Sequence, residues 1–134
     1  MNKKNYPEHF FSGTALLLHI SKADDIIQNN EINLIKNIIE DFFKISEDDS
    51  TKIIHTSLKI LENSTDIYEL GKELNKHFNY QDKIDFICCC FEVALADKNL
   101  HYLESHFIKK IAYILKIDNE DLINAKKEIS NYLN

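Results

Sequence analysis

Residues 31–44 read Glu-Ile-Asn-Leu-Ile-Lys-Asn-Ile-Ile-Glu-Asp-Phe-Phe-Lys. Ile32, Ile35, Ile38, Ile39 and Phe42 recur at three- and four-residue steps. That period lays them along one face of a helix, whereas a strand would alternate every second residue. The same stripe returns outward from this segment. Ile67, Leu70, Gly71, Leu74 and Phe78 carry it, and so do Leu103, Phe107, Ile108, Ile111, Ile114 and Leu115. The pattern predicts an all-α compact bundle of about seven helices, near 8–22, 29–44, 47–62, 66–78, 80–96, 101–116 and 119–132. No Pro- or Ser-rich linker divides residues 1–134, so one domain is expected.

Composition narrows the function classes. Two Gly and one Pro in 134 residues leave too little turn punctuation for a β-sandwich or a Gly-rich phosphate loop. The net charge is −6, and all 16 basic residues are Lys. Without Arg there are no bidentate contacts to guanine, and an acidic chain repels a polyanion, so nucleic acid is not an expected partner. The longest apolar stretch, Phe86–Phe91, stops at Glu92, far short of the ~18–20 residues a membrane span needs. Met1-Asn2-Lys3-Lys4 runs into polar residues and Pro7, unlike a secretory signal. Three consecutive cysteines do not form a disulfide framework. The expected location is therefore the reducing cytoplasm.

Helix starts are marked by oxygen-bearing side chains followed by acids. Ser46 precedes Glu47-Asp48-Asp49, and Asp118 precedes Asn119-Glu120-Asp121. Thr65 or Asp66, and Asn79, stand before the next predicted helices. Such oxygens accept from free N–H groups, and acids favour the positive helix end. The chain also aligns with itself at an offset of 73. Ala23-Asp24 lies over Ala96-Asp97, Glu31 over Glu104, Ile35 over Ile108 and Ile38 over Ile111. After a one-residue shift, Lys44-Ile45-Ser46 lies over Lys116-Ile117-Asp118. We read an internal pseudo-two-fold repeat with copies at about 10–62 and 80–132, and a linking helix at about 66–78.

These residues resemble the tellurite-resistance TerB-like family, which also includes the N-terminal region of DjlA-type co-chaperones. The family's mark is an Ala-Asp-Gly loop with a Glu seven residues after the Asp, used twice. Here it reads Ala23-Asp24 through Glu31 and Ala96-Asp97 through Glu104. The middle segment from Ser64 to Phe78 is also similar. The Gly is replaced by Asp25 and Lys98, and the acid two after each Asp by Ile26 and Asn99. The family's Glu five before the Asp is present as Glu92, while the first copy has His19. The resemblance implies a seven-helix bundle and an acidic cluster thought to bind a divalent metal ion. It also implies a stress-response role, tellurite resistance included, and protein partners that are often membrane-associated.

The metal-site candidates are thus Asp24, Glu31, Glu92, Asp97 and Glu104, with His19 as a sixth. Carboxylate oxygens suit calcium or magnesium, and an imidazole shifts preference towards zinc or manganese. The alternative is a metal-free interaction module in which the acids only cap helices and an exposed apolar groove recruits a partner. An EF-hand does not fit. Counted from Asp24, Ile26 stands at position 3 and Ile35 at position 12; from Asp97, Ile108 stands at position 12. Cys88, Cys89 and Cys90 would point ~100° apart on a helix and cannot close one tetrahedral site, so core packing is their expected role. His101 and His106 are five apart, which does not align them on one metal. His9, His55 and His77 are expected at the surface or its edge. Asn63-Ser64-Thr65 fits a glycosylation acceptor, but without a signal it predicts nothing. No Gly-x-Ser-x-Gly, His-Glu-x-x-His or P-loop is present, so the protein is not expected to be an enzyme.

Overall fold

Among the described residues seven helices succeed one another: α1 (Glu8–Ser21), α2 (Asn29–Phe43), α3 (Glu47–Glu62), α4 (Ile67–His77), α5 (Tyr80–Ala94), α6 (Tyr102–Ile114) and α7 (Asn119–Leu133). This computed structural model describes residues 6–22, 27–63, 66–96 and 102–133, with Tyr102 described by its backbone alone. Among the described residues there is no strand, and every expected helix is found within a few residues of its predicted span. Among the described residues no helix is long and apolar enough to cross a membrane.

Helix α1 is the axis of the bundle. Pro7 precedes it, where a missing N–H costs nothing. Every residue from Phe11 to Leu18 is buried, so α1 is covered on all sides rather than along one stripe. It packs on α3, α4 and α5, and more lightly on α2 and α6. The outer helices bury one face each. Ile35, Ile38 and Ile39 point inward from α2, Ile53 and Ile54 from α3, and Ile108 and Ile111 from α6.

Three of the expected caps sit where the sequence places them. Ser46 Oγ accepts from Asp49 N at 3.1 Å, Asp66 Oδ1 from Tyr68 N at 2.9 Å and Asn79 Oδ1 from Asp82 N at 2.8 Å. The two aligned Lys-Ile turns also fold alike. Lys44 and Lys116 take left-handed backbone angles, φ 59° and 62°. In each turn the following isoleucine N–H returns to a carbonyl five residues back, Ile45 to Glu40 at 3.1 Å and Ile117 to Ala112 at 3.0 Å. This is the hydrogen bond that closes a helix C-terminus. The likeness shown is that of the two local turns.

Helix α4 approaches α6 closely because Gly71 has no side chain. A Cβ there would lie 2.5 Å from Ile114 Cγ2. One turn on, Asn75 Nδ2 donates to the Ile114 carbonyl at 2.9 Å. That carbonyl is in the last turn of α6, where backbone acceptors lack helical partners. Gly71 and Asn75 together fix the α4–α6 contact.

Candidate functional site

The residues expected to hold a metal divide between several places. Asp24 and Asp97 lie outside the described residues. Glu31 is the third residue of α2, and its Oε1 accepts from Gln28 N at 2.7 Å. This is the reach-back bond of a capping box, and it engages the carboxylate locally. Glu104 stands in the first turn of α6 and is 5% exposed. Glu92 lies in the last turn of α5, half-buried. Burial, followed by the Asp41 charge, raises its carboxyl above the ordinary range. His19 sits near the end of α1, edge-on to Phe107 with ring centres 4.4 Å apart. Its pKa is lowered by burial first and by Lys22 and Lys110 second, which favours the neutral imidazole.

Among the described residues, Glu92 and His19 line different clefts. The first, of about 790 Å³, lies among α2, the end of α4 and α5. Asp41, Asp82, Asp85 and Glu92 line it beside Cys88 and Cys89. His9 and His77 stack across one end at 4.3 Å, nearly parallel. His9 is partly buried, deeper than the sequence suggests, and its Nδ1 has no hydrogen-bond partner. Desolvation, then the His77 charge, lowers its pKa. The thiols here are not activated. Burial pushes Cys88 up to about 11 and raises Cys89 and Cys90 further. Cys90 is in the core, as expected of a small apolar side chain.

The second cleft, of about 860 Å³, runs between α4 and α6 over His19. Ile67, Phe107 and Ile114 form its apolar surface, between Tyr68 and Tyr113. Lys109 and Lys110 stand on its rim. His19 and Glu92, which the internal repeat aligns, therefore face different clefts. Among the described residues, no three His, Cys, Asp or Glu side chains converge to hold a metal ion.

Residues 12–127 match the family model described as Tellurite resistance protein TerB. The chain belongs to the TerB family. Comparison with curated proteins and with solved structures yields no match. The TerB match spans all seven helices, from within α1 to within α7, so the family assignment covers the bundle rather than one motif. Sequence reading missed the two tyrosines and two lysines around the second cleft of this TerB domain. Its only local signal was Gly71, a small residue where the α4 stripe calls for an apolar one. The His9–His77 stack joins residues 68 apart and had no local signal at all.

Proposed function

We propose that this chain is a non-enzymatic TerB-type module of a stress response, tellurite stress included, and that it works by binding in a reducing cytoplasm. The family match over residues 12–127 carries this reading. Three free cysteines are in keeping with a reducing compartment.

Binding takes one of two forms. In the first, Asp24 and Asp97, with Glu31 and Glu104, take a divalent cation. The burial of Glu104 supports it, because a carboxylate in a low-dielectric setting gains more from a cation than an exposed one does. In the second, the acids serve the helix starts and the module binds proteins without metal. The Glu31–Gln28 bond supports that form.

One experiment separates them. The thermal midpoint of the full chain is measured with millimolar calcium, magnesium, manganese or zinc. A rise that disappears in Asp24→Ala, Asp97→Ala or Glu104→Gln establishes the cation form. A midpoint indifferent to all four ions leaves the capping form, whose partner is then sought by cross-linking in native cell extract. A chain that captures no partner and no cation removes the binding reading altogether.

A further inference from the structure

The protein carries a net charge of −6, yet the cleft between α4 and α6 has the opposite character. Lys109 and Lys110 are both exposed on its rim, and neither is ion-paired among the described residues. Among the described residues the one acid that lines it, Asp66, already accepts from Tyr68 N at the start of α4. Lys72, outside the cleft lining and ion-paired to Glu69 at 3.7 Å, holds its Nζ 5.4 Å from the centre of the Tyr68 ring. Between these charges lies apolar surface. Tyr68 is 55% exposed and Tyr113 84% exposed, among the most exposed large side chains of the protein. Large aromatic side chains left in water beside an apolar groove are the usual anchors of a protein interface. Inside the cleft, His19 Nε2 is buried and lacks a hydrogen-bond partner, and such a group is ordinarily satisfied.

We propose that the α4–α6 cleft is the docking groove for an acidic segment of a partner protein, one that carries large apolar side chains between its carboxylates. The apolar residues fill the trough over Phe107 and Ile114. The carboxylates meet Lys109 and Lys110, where opposite charge steers encounter and fixes register. A polar atom of the same segment reaches His19 Nε2. The shape argues for a polypeptide. A small-molecule site encloses most of its ligand, whereas Tyr68 and Tyr113 stand mostly in water. A flat anionic bilayer does not enter a trough, and the chain's overall charge opposes it. The spacing of α4 and α6 is fixed in the free protein by Gly71 and Asn75 against Ile114, so little ordering is required on binding.

This proposal rests on the reading of the chain as a binding module, and its test distinguishes the two. A displayed peptide library is panned against the full chain, against Lys109→Glu/Lys110→Glu and against Tyr113→Ala. All three substituted positions are exposed, and circular dichroism checks that the fold is kept. The expected peptides are rich in Asp and Glu with two or more Leu, Ile or Phe. Affinity falls about tenfold or more in the Lys reversal, and it weakens as salt rises. Peptides that enrich but bind the Lys reversal equally well overturn the groove and leave the module reading intact. No enrichment at all overturns the groove, and no response to cations either would take the module reading with it. Two further arms name the competing occupants. Co-sedimentation with phosphatidylserine-containing vesicles, lost in the Lys reversal, would assign the groove to a membrane. Self-association of the chain alone, lost in the same variant, would assign it to a second copy. Either result would replace the proposal.

Discussion

The side-chain amide of Asn75 donates to the backbone carbonyl of Ile114 at 2.9 Å, tying the middle of α4 to the end of α6. The bond is partly buried and local to no single helix. Its loss in Asn75→Ala should cost about 1 kcal/mol, the usual net worth of such a bond. Gly71→Ala should cost more, about 1–3 kcal/mol, because its Cβ would press on Ile114 Cγ2 at 2.5 Å. Urea unfolding measures both. The two losses should not add, since they act on the same residue of α6. Equal, small and additive effects would show that α4 and α6 are not clamped in this way.

The helices were legible because their determinants are local. An apolar stripe such as Ile35, Ile38 and Ile39, started and ended by capping residues, can be read from a dozen consecutive positions. All three of those isoleucines are buried. The clefts were not legible, because each joins residues from helices distant in sequence. Phe107 and Ile114 read as ordinary members of the α6 stripe. The structure turns them partly outward, towards Tyr68 of α4 and His19 of α1. Glu31 shows a third case. The same spacing serves a capping box or a metal ligand, and the bond to Gln28 N is visible only in three dimensions.

Stability should fall as pH drops below about 6.5, the value of an unperturbed histidine. His9 and His19 both have lowered pKa values in the folded protein. Between the folded and unfolded values, the unfolded chain therefore binds more protons, and stability rises with pH. The stabilisation is complete above the unfolded value and is lost as pH falls through the folded one. For His9, burial and His77 set this direction, against Glu73 and Asp82. Thermal midpoints from pH 7 to pH 5 should decline, and His9→Gln should flatten the decline. Glu92 works with the opposite sign. Its raised carboxyl pKa favours folding below the ordinary carboxylate value, and that contribution fades as pH rises through the folded one. Glu92→Gln should thus steepen the dependence on pH.

The three cysteines should be poor nucleophiles in the native protein. Burial is the first cause of the upward shift at each thiol, and neighbouring acids add to it at Cys88 and Cys89. At pH 7.5 the thiolate fraction is therefore far below that of a free cysteine. Reaction with a disulfide reagent should be slow in buffer and rapid in denaturing urea. Cys88 should react first, being less buried than Cys90. A thiol that reacts in buffer as fast as free cysteine would reveal an opening of α5 that the folded structure does not contain.

Two lysines sit where glycine is normally preferred, and replacing them should stabilise the protein. Lys44 and Lys116 both have positive φ, where a Cβ crowds the carbonyl oxygen at a cost of about 1–2 kcal/mol. Glycine removes that crowding, although it adds conformational freedom to the unfolded chain. The net gain expected for Lys44→Gly or Lys116→Gly is about 0.5–1 kcal/mol. The two turns are far apart in sequence and share no helix, so the gains should add in the double variant. Alanine at either position keeps the Cβ and should bring no gain. That contrast separates relief of backbone crowding from the removal of a surface charge, since both substitutions delete the lysine but only one frees the backbone. Urea midpoints for the four single variants decide it. A gain from alanine equal to that from glycine would mean that charge, and not the left-handed turn, limits stability at these two helix ends.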